Sequence, residues 1–170
     1  MGKVLNAFGY GTPGAVTRSI DDIIISVRNA SGSDIEFGAP VFMTENGAVP
    51  FSTDNPQEFA DFLGFAVRVD DKTPDAYPQG QFNTAASAGQ IGAWHAGDVM
   101  EVLVRGSIAL ASTVSGSKGG KLYIRKSDGR LTGTAGASGS TVLLENVRIR
   151  NPRNGYSASC EAIVNKRNIL

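Results

Sequence analysis

Apolar and polar residues alternate with a period of two along much of the chain, as they do in strands with one face on a core and one toward solvent. Ile23, Ile25 and Val27 fall on one face of such a strand, with Asp22, Ser26 and Arg28 mostly on the other. Leu63, Phe65, Val67 and Val69 repeat the pattern opposite Gly64, Ala66 and Arg68. Met100, Val102 and Val104 alternate with Glu101, Leu103 and Arg105 until Gly106, which predicts a bulge or bend before Ile108 and Leu110. Residues 121–126 and 131–132 flank Ser127-Asp128-Gly129-Arg130, where Asp-Gly supplies the backbone angles of a tight hairpin. Residues 141–150 and 156–166 flank a second turn, Asn151-Pro152-Arg153-Asn154-Gly155, with Ala158, Cys160, Ala162 and Val164 sharing one face of the second strand. Glu45-Asn46-Gly47-Ala48 predicts a third turn.

The one helix signal is Asn55-Pro56-Gln57-Glu58-Phe59-Ala60, a capping residue followed by proline at the first helical position, good for one or two turns. Residues 77–92 and 133–140 are rich in Gly, Ala, Ser and Gln and read as long loops. Residues 1–19 mix Gly2, Gly9, Gly11, Pro13 and Gly14 with isolated apolar groups and keep neither period, which predicts an extended N-terminal arm. The expected fold is all-β: a small antiparallel β-barrel or sandwich of eight to ten strands in one domain over residues 20–170, with at most one short helix. Closure into a barrel is expected to remove unpaired strand edges.

A chain of 170 residues can bury roughly 70% of its unfolded surface, enough for a real core. Sixteen basic and sixteen acidic side chains cancel, so no bulk field draws the protein to nucleic acid or to an anionic membrane. No run approaches 18 consecutive apolar residues, and residues 1–10 lack the basic start and apolar stretch of a secretion signal. Neither a nucleic-acid nor a membrane partner is expected.

The candidate chemistry is sparse. Cys160 is the only cysteine, which excludes an internal disulfide and any multi-cysteine metal site. His95, in Ala93-Trp94-His95-Ala96-Gly97-Asp98, is the only possible imidazole base for a nucleophile, and no serine sits in a Gly-x-Ser-x-Gly elbow. Asp21-Asp22 and Asp70-Asp71 read as solvated charges at strand ends, with no EF-hand spacing for calcium. Gly116-Ser117-Lys118-Gly119-Gly120-Lys121 lacks phosphate-loop spacing and precedes a strand pattern, so it reads as a flexible loop. No catalytic residue, cofactor or metal is expected. Candidate partner contacts are Val4, Leu5, Phe8 and Tyr10 in the arm, which fit docking on another subunit or protein, or packing on the chain's own body. Trp94 and His95 join them as expected surface or interface residues at a strand entry.

The run Gly97-Asp98-Val99-Met100-Glu101-Val102-Leu103-Val104-Arg105-Gly106-Ser107-Ile108, then Gly120-Lys121-Leu122-Tyr123 and Asp128-Gly129-Arg130-Leu131-Thr132, resembles the structural cement and head decoration proteins of tailed bacteriophages. The match covers roughly residues 90–133, with 65–69 as an earlier strand. The resemblance implies a virion protein made in the host bacterial cytoplasm. It implies binding to the outer face of the major capsid protein shell, as a homotrimer at local three-fold positions or another homo-oligomer, with no cofactor and no active site. A rival reading is a carbohydrate-binding β-module of a tail or adhesin, which needs converging exposed aromatics drawn from Trp94, Tyr10, Tyr77, Tyr123 and Tyr156.

Overall fold

The computed structural model describes residues 12–54, 58–69, 92–110, 114–152 and 160–165; of residues 18–20 and Phe59 only the backbone is described. Val4, Leu5, Phe8 and Tyr10, the Asp70-Asp71 pair, nearly all of the 77–92 loop, and the turn after Pro152 with Ala158 lie outside the described residues.

Eleven strands are present among the described residues, one more than the upper expectation, and three of them span only two residues. They are β1 (Val16–Arg28), β2 (Ile35–Glu36), β3 (Pro40–Thr44), β4 (Gly47–Pro50), β5 (Phe62–Ala66), β6 (Ala93–Trp94), β7 (Val99–Leu110), β8 (Lys121–Arg125), β9 (Leu131–Thr132), β10 (Thr141–Asn151) and β11 (Cys160–Val164). Of the helix signal, Asn55, Pro56 and Gln57 lie outside the described residues, and Phe59–Asp61 forms a 3-10 turn. Nine strands form one antiparallel sheet in the order β4-β3-β5-β7-β11-β10-β8-β9, with β1 also paired to β7; β2 and β6 form a separate two-stranded ribbon.

Strand β7 organises the sheet. Along one edge it pairs with β1, from Val16↔Ile108 to Arg28↔Val99. Along the other it pairs first with β5, Phe65↔Leu103, then with β11, Cys160↔Leu110 through Val164↔Gly106. β1 begins at Val16, inside the stretch the sequence assigns to the arm.

The sheet is buried on both faces over its middle strands. Its inner face holds Phe42, Phe62, Phe65, Leu103, Ile108, Leu110, Leu122, Ile124, Leu144 and Cys160 among others, with Phe42, Phe62 and Phe65 in successive edge-to-face contacts at 5.7 and 5.4 Å. A second core lies on the opposite face of β3, β5 and β7, where Val41, Leu63, Ala66, Met100, Val102 and Val104 meet Ile35 and Trp94 of the β2–β6 ribbon and Phe37 just beyond β2. Curling brings Phe51, just past β4, against the turn at Gly129, within van der Waals reach of any Cβ there. β4 and β9 are nevertheless not hydrogen-bonded to one another, and β1 carries no strand on its outer edge among the described residues. The fold is all-β as expected, a sheet curled into a half-barrel, with no hydrogen-bonded closure of β4 on β9 among the described residues.

A sheet bent this far cannot keep strict alternation, and the breaks fall where a residue must change face. The sequence places Leu63 and Phe65 together, but the register shifts between Val41↔Gly64 and Phe42↔Phe62. Leu63 consequently joins the second core while Phe65 joins the first. In β10 the pairing jumps from Leu144↔Leu122 to Arg148↔Lys121, so Val142 and Leu144 before the jump and Val147 and Ile149 after it all point inward. In β7 the change comes at Gly106, as the sequence predicts: Leu103 faces inward before it, Ile108 and Leu110 after it.

The predicted hairpins form, β3–β4 around Glu45-Asn46 and β8–β9 around Asp128-Gly129, the latter closed by the Gly129 N–H to Arg125 O bond at 2.8 Å. The 116–121 loop is pinned, not flexible: the Gly119 N–H donates to Ile149 O at 2.6 Å and the Ile149 N–H to Gly120 O at 2.9 Å, and strand β8 follows.

Gly64 marks a close backbone approach between β5 and β7, since a Cβ there would sit 2.1 Å from the Leu103 carbonyl oxygen. Gly64→Ala must force β5 away from β7 and is expected to cost about 3 kcal/mol. The measured midpoint of thermal unfolding should fall by roughly 6–12 °C.

Candidate functional site

The features able to meet a partner gather along β1 and the corner where it ends. β1 pairs with β7 with register shifts between Val16 and Arg18, between Arg18 and Ile23 and between Ile23 and Ile24; the widest follows Arg18↔Ser107, where the next pair is Ile23↔Arg105, so four residues of β1 stand against Gly106 alone. Gly106 has φ +122, and a Cβ there would fall 1.9 Å from the Asp22 carboxylate. The missing side chain is what lets Asp22 fold in over β7, where the Ser107 N–H donates to it.

The two adjacent acids thus have different fates, and only one is the solvated charge expected. Asp21 is exposed and pairs with Arg105 of β7. Asp22 has one carboxylate oxygen shut from solvent without a hydrogen-bond partner among the described residues. Burial pushes its carboxyl above the usual range; the Ser107 hydrogen bond opposes the shift and the Asp21 charge adds to it. Nearby, Ile23 and Ile24 are 37% and 43% exposed, and Val99, opposite Arg28, is 67% exposed. Ile25 and Val27 turn into the second core, as their alternation predicts.

At the end of β1, Asn29 is buried and knots three segments together. Its side-chain amide donates to the carbonyls of Ser33, Trp94 and His95 at 3.0–3.2 Å, and its oxygen accepts from the Ser31 N–H and hydroxyl. An open polar depression of about 560 Å³ lies beside it, lined by Arg28, Ser31, Asn46 and Gly97 among others, with no acid, imidazole or thiol in its lining.

The structure separates the two residues that the sequence placed together at this corner. His95 is on the surface as expected, 68% exposed in its side chain, with Nδ1 3.1 Å from Asp34. Trp94 is a correction: it is only 5% exposed, edge-on to Phe37, and its indole N–H donates to Val67 O at 2.9 Å. Alternation along the two-residue strand β6 turns Trp94 inward. No exposed indole is left to stack on a sugar, and Tyr10, Tyr77 and Tyr156 lie outside the described residues.

Cys160 and His95 are not brought together, since the thiol is sealed in the inner core and burial pushes its pKa up to about 12. On the opposite side of β11, Glu161 is 1% exposed within an apolar strand. It accepts from the Thr17 hydroxyl of β1 at 2.6 Å and from the Asn151 amide of β10, while Arg150 reaches the buried Ser107 hydroxyl at 3.0 Å. A row of polar groups therefore crosses β1, β7, β11 and β10. The sequence reading missed it; the signal was one carboxylate set between Cys160 and Ala162 in a core strand.

Residues 3–164 match the family described as structural cement protein (E217 gp24/Pam3 gp6). Among solved structures, a chain from the capsid of Myoviridae phage XM1 has the same fold, with a TM-score of 0.66 and 16% identity over 96% of each chain. No curated protein matches.

Two outcomes follow from these environments. A carboxyl whose folded pKa is raised favours folding while protonated and loses that contribution as pH rises through the raised value. Asp22→Asn should therefore melt slightly higher than the parent at pH 7.5, an advantage that shrinks on acidification and is gone below the ordinary value of 3.8. Melting curves from pH 3.5 to 8 read this directly. Cys160 should resist alkylation at pH 8 in the native protein and react within minutes in denaturant, as mass spectrometry of the labelled chain would record.

Proposed function

The chain belongs to the phage structural cement protein family, and from that premise we propose that it binds the outer surface of the major capsid protein shell and holds neighbouring capsomers together. Family membership over nearly the whole chain carries the reading. The physical character of the molecule supports it: a body with two cores on one sheet is stiff, as a clamp must be, and its unusual features are surface features.

The contacts fall in two places. One is the arm, where Val4, Leu5, Phe8 and Tyr10 gain burial by docking on the shell or on a neighbouring copy. The other is the outer margin of β1, with Ile23, Ile24, the exposed Arg28 and, across from it, Val99. His95 lies near the β1 terminus and adds a polar contact. Copies gather as trimers about local three-fold positions, so modest contacts multiply by symmetry and the second and third attachments become intramolecular. Such a role needs no cofactor and no catalytic step.

Co-sedimentation of purified protein with empty shells of the source virus, over a concentration series, tests the proposal. Binding should saturate at a copy number commensurate with the local symmetry axes of the lattice, and removal of residues 1–11 should weaken it at least tenfold. Failure to bind either compact or expanded shells would sink the reading.

A further inference from the structure

The three large apolar side chains that stand exposed among the described residues, Ile23, Ile24 and Val99, all fall on one face of the sheet. Directly opposed residues of an antiparallel pair point to the same side. Arg28↔Val99, Ser26↔Glu101 and Ile24↔Leu103 therefore line a single face. The register shift after Ile23 sets that residue opposite Arg105, two positions beyond Leu103, which brings it to the same side as Ile24. Leu103 belongs to the inner core, whereas Ile23, Ile24 and Val99 belong to neither core. The sheet thus extends past its core by a surface two strands wide, made of β1 and the first residues of β7.

The charges on this surface balance. Asp21 and Arg105 pair with each other. Arg28 and Glu101 are both exposed, and neither makes an ion pair or a side-chain hydrogen bond among the described residues. They occupy one diagonal of a four-residue square whose other corners are Ser26 and Val99. A partner surface of a single sign would attract one of the two charges and repel the other, and like charges brought together across an interface are costly. The surface that fits carries an acid and a base on the same diagonal with their places exchanged. A second copy of this chain, turned by half a revolution, presents that pattern.

We propose that the exposed face of β1 and the start of β7 is a two-fold interface between copies of this chain. Such a contact is isologous, so each pairing occurs twice. An axis lying between the two faces that sets Arg28 over Glu101 of the second copy runs along the other diagonal, through Ser26 and Val99. Val99 then meets its own counterpart at the axis, Ser26 does the same, and Ile23 and Ile24 extend the apolar surface to one side. The inference rests on the reading of the β1 margin as a contact surface and names its occupant. On a shell, the pairing ties a copy in one trimer to a copy in the next, where the lattice supplies a high effective concentration. A face two strands wide is smaller than the roughly 800 Å² per partner of a standard stable complex, so in free solution half-dimerisation falls near ~100 µM.

Sedimentation velocity of the full chain from about 1 µM to about 1 mM should show a monomer passing into a dimer. Arg28→Glu alone and Glu101→Arg alone should each weaken association about tenfold or more, because each sets like charges together twice. An equimolar mixture of the two variants should associate as well as the parent, since every contact between unlike copies is then acid against base. Rescue in the mixture cannot come from pairing within one chain. Val99→Cys supplies an independent reading: the native thiol is sealed in the inner core, and a bis-maleimide spanning the roughly 10 Å between packed sheets should link the new thiol to its mate. A monomer up to 1 mM, a dimer indifferent to the charge reversals, a mixture no better than its components, or unlinked Val99→Cys protein would each overturn the proposal. These measurements need no shell. A dimer that fails to bind shells therefore sinks the shell reading alone, and a shell-binding monomer sinks the two-fold interface alone.

Discussion

The sheet is arranged around one strand that must pair with three others while packing on both faces. β7 is hydrogen-bonded along both edges and packed on both faces over its first half, with Met100, Val102 and Val104 in one core and Leu103 in the other. No straight ribbon meets those demands over twelve residues while the sheet wraps around the inner core. Gly106 resolves the conflict by letting the strand change face, and the space left by its missing side chain admits Asp22.

The consequences spread outward from that point. Since β7 turns at Gly106, β1 must spend four residues where its partner spends one, which divides it into a long inner block and a short outer block. The long block ends at Asn29, whose amide ties the β1 terminus to the segment entering β2 and to the segment entering β7. The outer part is held by backbone hydrogen bonds that join Gly14 and Ala15 to Ala109 and Arg68 to Gly14, and there Thr17 donates to the buried Glu161. For a protein of the structural cement family, the result is a body packed on two cores, with no further strand on the outer edge of β1 among the described residues.

Much of the fold was legible from local chemistry. The clean alternation of residues 100–104, the break at Gly106 and the Asp128-Gly129 hairpin depend on backbone sterics that the sequence displays directly. Leu63 and Phe65 misled because a register shift, set by how close Gly64 lets β5 come to the Leu103 carbonyl, cannot be read from the spacing of apolar residues. Trp94 misled for a related reason: a two-residue strand offers no periodicity from which to assign its inward face, and the Val67 carbonyl that receives the indole N–H is distant in sequence. Asp22 and Glu161 each look like surface acids in isolation. Their neighbours include Gly106, Thr17 and Asn151, which are distant in sequence and meet them only in the folded sheet.

The central claim is mechanical: a stiff β body attached to the shell makes the shell harder to open. The most direct measurement is the rupture temperature of emptied shells, followed by release of an encapsulated dye, as the protein is titrated to saturation. The account predicts a rise that follows occupancy and levels off when the sites are full. Full occupancy with an unchanged rupture temperature would contradict it, since the protein would then be a passenger on the capsid and not its cement.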